Sequence, residues 1–220
     1  MRPEVTPTWS LVIPVKVLAQ AKSRLTGLAA TARAELALAM AADTVAAALA
    51  ATAVGLVIVV TDDPEVGAQM AGLGAAVLPD EPAAGLNRAL SFGAGHARGR
   101  WPGCGVAGLA GDLPALRPGE LTAALLAAEA AGRAFVPDAE GTGTTLYAAA
   151  AGASFEPRFG PQSRARHLAA GAAELDLAEL AGLRRDVDTA ADLRLAAEIG
   201  LGPRTSALLA AARLPGAGTG

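Results

Sequence analysis

Cysteine is almost absent from this chain of 220 residues: Cys104 stands alone, so no intramolecular disulfide can brace the fold, and a reducing, cytoplasmic setting is expected. Aromatic residues make up only 3% against 52% hydrophobic residues in total. The core must therefore be packed from Ala, Leu and Val rather than from large rings. Positive charge is also in short supply, with a net charge of −3 and a sequence pI near 5.4. That excludes a general nucleic-acid binder, which needs a basic surface to displace counterions from phosphates. The N-terminus "MRPEVTPTWS" lacks the apolar segment of a signal peptide, and no uninterrupted apolar run reaches membrane-spanning length. A soluble chain with no membrane partner is expected, and its length suits one domain.

What is present is a regular alternation. Apolar, β-branched runs at 10–15, 55–60, 75–79 and 104–110 predict buried strands. Between them, alanine, leucine and spaced charges predict helices over 31–51, 64–73 and 86–98. A helix over 118–131 and strands over 134–136 and 145–150 continue the pattern, followed by the irregular stretch "GASFEPRFGPQSRARH". The fold class is α/β, with a mostly parallel central sheet covered by helices on both faces. The expected organisation is an N-terminal tail over 1–9, one domain over 10–204, and a C-terminal helix with a flexible tail over 205–220. In such sheets ligands bind beyond the carboxyl ends of the strands, so the loops there are where chemistry is sought.

Five stretches carry candidate groups. After the first strand, Lys16, Lys22, Ser23 and Arg24 form a cluster that reads either as a solvated basic turn or as a polyphosphate site. It is not a P-loop, because the glycine spacing and Lys-Ser/Thr ending are missing. In "GLAGDLPAL", Asp112 directly follows an apolar strand; it reads as a Mg²⁺ ligand or as an Asx-turn or helix-capping residue. In "RRDVDTAADL", Asp186 and Asp188 flank Val187, so in an extended segment both carboxylates share one face. Asp188 or Thr189 can also cap a helix starting near Ala190, with Asp192 in its first turn. Finally, "EGTGTTLY" and "FGPQSRARH" offer glycines, hydroxyls and arginines for a small anion. His167 reads as a packing or surface residue, or as one facing a substrate, and His96 as structural.

Taken in order, "PVKVLAQAKSRL", "GDLP", "EGTGTTLY", "FGPQSRARH" and "DVDTAADL" resemble one family across about 10–201. It is the 2-phospho-L-lactate and phosphoenolpyruvate guanylyltransferases of coenzyme F-420 biosynthesis, relatives of the molybdenum-cofactor and sugar-nucleotide nucleotidyltransferases. The resemblance implies a single-domain, Rossmann-like nucleotidyltransferase (GT-A-like) fold that moves GMP from GTP to a small phosphorylated acid and releases diphosphate. By the same resemblance, Lys16, Lys22, Ser23 and Arg24 match the GTP-phosphate loop, and Lys16, Lys22, Arg24 and Asp112 are the implied catalytic set. Asp112, Asp186 and Asp188 match the Mg²⁺ carboxylates. Gly85, Leu86 and Asn87 match a segment lying against guanine or ribose, and Thr145, Gly160 and Ser163 the positions holding the acid. Where relatives carry "DGTN", this chain has Glu140 and Gly143, which leaves Thr144 and Thr145 as the contacts.

An acceptor phosphate is already ionised near neutral pH, so the implied reaction needs no general base. Positioning and electrostatic stabilisation by the basic loop and Mg²⁺ suffice. By the resemblance, phosphoenolpyruvate is the favoured acceptor over 2-phospho-L-lactate and 3-phosphoglycerate, and a downstream F-420 biosynthetic enzyme is an implied partner. A sugar-phosphate or molybdopterin nucleotidyltransferase, or a non-catalytic nucleotide-binding module, is the alternative.

Overall fold

In the first strand, β1 (Trp9–Pro14), Leu11 and Ile13 point into one apolar layer and Val12 into the other. Every one of these side chains is buried, because β1 sits inside the sheet with helices on both sides. The computed structural model describes residues 8–15, 29–81, 84–177 and 179–212. Its other strands are β2 (Val54–Val60), β3 (Ala76–Leu78), β4 (Gly105–Leu109), β5 (Arg133–Val136), β6 (Leu146–Ala149) and β7 (Ala173–Glu174). They form one sheet in the order β3-β2-β1-β4-β6-β5-β7. Leu11 pairs in parallel with Val57 of β2 and Ala107 of β4. Among the described strands only β6 runs antiparallel to its neighbours, with Leu146 opposite Leu109 on one side and Val136 on the other.

The layer containing Leu11 and Ile13 is closed by α1 (Ala30–Ala50), α2 (Pro64–Leu73) and α4 (Pro118–Ala131), through residues such as Val45, Met70 and Leu125. The opposite layer, with Val12, Ile58 and Phe135, is closed by α3 (Leu86–Arg100) through Ala89, Leu90 and Ala94. The alanines that dominate the composition thus serve packing, because small side chains let α1 and α3 lie close on the sheet. Local signals set the helix ends. Asp63 accepts hydrogen bonds from Glu65 N–H and Val66 N–H, with Pro64 at the first helical position of α2. Such a cap contributes about 1 kcal/mol.

Three short elements escape periodicity: α5 (Ser163–Ala169), α6 (Ala181–Arg184) and β7. None is long enough for an amphipathic period to show in the sequence. After α7 (Ala190–Ile199) the chain closes with α8 (Pro203–Ala212), which packs on α1. The buried Asp43 carboxylate holds it there by accepting from Arg204 N–H at 3.1 Å and Thr205 N–H at 2.8 Å. No described helix is long and apolar enough to cross a membrane.

The reversal of β6 positions the site. Residues that precede an antiparallel strand share a sheet edge with residues that follow its parallel neighbours. Thr144 and Thr145, before β6, therefore meet Ala110 to Asp112, after β4, and the link is closed by Ala110 N–H donating to Thr145 C=O at 2.8 Å.

Candidate active site

At this edge lies a cavity of about 510 Å³, lined by the ends of β1 and β4, by α1 and α3, and by the loops at 143–144, 159–163 and 186–188. Ala37 and Ala41 form its floor on the α1 side and Leu86 and Leu90 its side on α3. Its volume lies in the range of ordinary small-molecule sites.

One wall is carboxylate. Asp112 follows β4 and lines the cavity; α4 is capped at Arg117, so capping is not the role of Asp112. Two bonds fix its loop: Leu113 N–H donates to Thr44 Oγ1 at 3.0 Å, and Asp112 C=O accepts from Val187 N–H at 3.1 Å. The second bond stitches the 186–188 segment to the Asp112 loop. Val187 is fully buried, and the alternation turns Asp186 and Asp188 into the cavity. Capping of α7 falls to Thr189 and Asp192, which bond each other's main-chain N–H groups.

Burial, and after it the nearby Asp112, push the Asp186 carboxyl up to about 7, with smaller repulsions from Asp138 and Asp188 and against the opposing effect of a main-chain hydrogen bond. Its Oδ1 is buried without a hydrogen-bond partner among the described residues. An acidic group in such surroundings is stabilised by a cation. Hard oxygen donors of this kind suit Mg²⁺, which binds through one or two carboxylates and completes its shell with water and substrate phosphates. Among the described residues no group of three His, Cys, Asp or Glu side chains is placed to hold a metal ion by itself. The donor set therefore fits a cation shared with substrate better than one held by protein alone.

Another part of the lining is made of hydroxyls and backbone. Thr144, Gly160, Ser163 and Phe159 line it. Ser163 Oγ donates to Thr144 Oγ1 at 3.0 Å, and Thr144 Oγ1 lies 3.0 Å from His167 Nδ1. Gly160 adopts φ 112°, a conformation that L side chains resist, and Gln162 stands just before Ser163 at φ 56°. Asn87 clamps this loop from α3: its amide donates to Phe159 C=O at 3.0 Å and accepts from Phe159 N–H at 2.8 Å.

Asp112, Asp186, Asp188, Leu86, Thr144, Gly160 and Ser163 thus come together around one cavity. Three candidates stand apart from its lining. Gly85 precedes α3 with φ 93°, the Asn87 side chain is taken up by Phe159, and Thr145 is buried in the strand ladder, where its N–H donates to Val136 C=O. Lys16, Lys22, Ser23 and Arg24 lie outside the described residues. His96 is exposed on α3, whereas His167, far from the surface, is wholly buried.

One supporting residue is missing from the sequence-based candidates. Asp138 follows β5 and its carboxylate accepts from Thr142 N–H and Gly143 N–H at 2.8 and 2.7 Å. A Cβ at position 143 would collide with that carboxylate, so glycine is required there for close approach. The motif "AFVPD", an aspartate just past an apolar strand, repeats the signal that marked Asp112.

The open sheet, with Asp112 just past β4 and Asp186, Asp188 and the hydroxyls lining the same cavity, is the arrangement that the comparisons assign to the nucleotidyltransferases. Residues 17–184 match the family of the MobA-like NTP transferase domain. The chain is 59% identical over 208 residues to the phosphoenolpyruvate guanylyltransferase of Thermomonospora curvata, covering 94% of this chain and 90% of that one. It is 56% identical over 213 residues to the enzyme of the same name from Streptomyces scabiei, covering 94% and 99%. In fold it is similar to a Desulfovibrio desulfuricans G20 protein described as a nucleotide-diphospho-sugar transferase, with TM-score 0.70 at 16% identity over 94% of this chain and 95% of that one. The chain belongs to the phosphoenolpyruvate guanylyltransferase family of MobA-like NTP transferases.

Proposed function

We propose that the cavity transfers GMP from GTP to phosphoenolpyruvate. An acceptor phosphate oxygen forms a bond to the α-phosphorus of GTP, the bond from the α-phosphorus to the bridging oxygen breaks, and diphosphate leaves with that electron pair. The gathering of carboxylates and of hydroxyl and backbone groups around one cavity is the observation that carries this reading, because the reaction joins two anions that repel each other. Asp112, Asp186 and Asp188 would hold a divalent cation such as Mg²⁺. Bound there, the cation supplies charge neutralisation for the phosphates and makes the α-phosphorus more electrophilic.

The chain's own groups do the rest. Thr144, supported by Ser163, and the Gly160 backbone hold and orient the acid, so the attack is effectively intramolecular. Leu86 and Leu90 exclude water from one side. Lys16, Lys22, Ser23 and Arg24 are assigned to the triphosphate on the strength of the motif, and Gly85, Asn87 and Thr145 to positions behind the contact surface. A cytoplasmic location, one folded domain over 10–204 and a downstream enzyme of F-420 biosynthesis that takes up the product belong to the same proposal.

The test offers GTP with phosphoenolpyruvate, 2-phospho-L-lactate and 3-phosphoglycerate in turn and follows diphosphate release, trapping the labile product with the downstream enzyme. Release that requires phosphoenolpyruvate supports the reading. Release only with one of the other acceptors, or GTP binding with no release, overturns it.

A further inference from the structure

The polar network under the hydroxyl wall has a direction. Arg158 N–H lies 2.9 Å from His167 Nε2, and a main-chain amide can only donate. Nε2 is therefore the bare nitrogen of the ring, and the proton of the neutral imidazole sits on Nδ1, where it is donated to Thr144 Oγ1 at 3.0 Å. Turning the ring over would set carbon against both partners and lose both bonds. Ser163 Oγ donates to the same Thr144 oxygen. A hydroxyl has two acceptor lone pairs and one proton, so both lone pairs of Thr144 are filled and only its proton remains. Thr144 meets open space in the cavity.

We infer that His167 is a positioning residue that makes Thr144 an obligate hydrogen-bond donor to the ligand, so this corner accepts a phosphate or carboxylate oxygen and disfavours a donor group. The ring is well fixed for this. It is fully buried, stacked on Tyr147 at 4.7 Å between centroids, with Phe135 at 5.3 Å and Phe159 edge-on at 5.8 Å. Burial, reinforced by the Arg166 and Arg158 charges, lowers its pKa to about 4, which keeps the ring neutral at physiological pH. A protonated ring would break the bond from Arg158 N–H. The inference rests on the proposed function for the identity of the acid.

Two measurements on the full chain test it. Nitrogen-15 NMR of the His167 ring without substrates is expected to show the Nδ1–H tautomer; the Nε2–H tautomer, or a charged ring at neutral pH, overturns the inference. In diphosphate-release kinetics, Thr144→Val and His167→Phe, which keep shape but lose the bonds, are expected to raise KM for phosphoenolpyruvate by about tenfold, the worth of one hydrogen bond to a charged group. KM for GTP should stay within about twofold by the same reasoning. Thr144→Ser and His167→Asn, which keep a donor, should restore most of the affinity. The double variant T144V/H167F should be no worse than Thr144→Val alone, because His167 acts through Thr144. Additive losses, or an effect on GTP instead of the acid, contradict the inference. A wild-type chain that releases no diphosphate with phosphoenolpyruvate counts against the proposed function alone, and the ring tautomer then still decides whether His167 orients Thr144.

Discussion

The two walls of the cavity solve opposite electrostatic problems. On the carboxylate side Asp186 keeps an oxygen without a partner among the described residues and is pushed up to about 7 by burial and by its acidic neighbours. On the hydroxyl side Thr144, Ser163, His167 and Asn87 satisfy one another and the nearby backbone, and what is left over is a donor. The partnerless Asp186 oxygen suits a cation, and the Thr144 hydroxyl, with both lone pairs filled, suits an anion. A metal-bound polyphosphate facing an acidic acceptor supplies both. The difference also separates stability from function: buried Asp186 costs folding energy in the absence of a cation, whereas the His167–Thr144 bonds are already made.

That contrast can be broken most severely on the carboxylate side. Asp112→Ala and Asp188→Ala are each expected to lower kcat for diphosphate release by roughly 10²-fold or more, the scale on which preorganised charge stabilisation operates. Near wild-type turnover in excess Mg²⁺ would remove them from the metal site. Asp186→Asn should lose activity on a similar scale while gaining stability. An acid whose folded pKa is raised weakens the fold as pH climbs from its unfolded value of 3.8 toward 7, and the penalty is complete above 7. A tenfold change in an ionisation constant corresponds to about 1.4 kcal/mol, so the effect is large enough to read in a melt. Thermal melts without divalent cation should therefore show the variant ahead of wild type at pH 8 and level with it at pH 4; a variant that melts lower at pH 8 would contradict the assignment.

The hydroxyl side gives the reverse slope. The folded pKa of His167 lies below its unfolded value, so its contribution is present above pH 6.5 and is lost as pH falls toward about 4. His167→Phe should flatten that part of the stability profile, measured by the same melts. A smaller effect is expected from Asn87→Ala, which loosens the Phe159 loop: roughly 1–3 kcal/mol from the Phe159 N–H left unpaired, since Phe159 C=O still accepts from the Arg166 guanidinium. It should raise KM for the acid with little change in kcat, and an unchanged KM would show that the loop holds its place without the clamp.

Much of this arrangement is legible in the sequence because long elements announce themselves. The apolar run of β1 and the alanine periodicity of α1 give type and place, and the loops beyond the strands follow from the parallel sheet. The Asp-Val-Asp alternation foretells two carboxylates on one face, and the buried Val187 is the reason it holds. Other features depend on contacts that no local pattern encodes. Asn87 sits in a segment suggestive of base recognition, yet its amide is committed to Phe159, 72 residues on. His167 is one more polar residue in "SRARH" until β5 and β6 bring Phe135 and Tyr147 over its ring. Asp138 matters through Gly143 and Asp186, both placed by tertiary structure.

The division of the cavity into a cation-holding and an acid-holding wall stands or falls on diphosphate release from GTP and phosphoenolpyruvate, titrated with MgCl₂, for wild type beside Asp186→Asn. Release is expected from the wild type only when both substrates and the cation are present, with almost none from the variant at any MgCl₂ concentration. Release without an acceptor, or a variant restored to wild-type rate by added cation, would contradict that division.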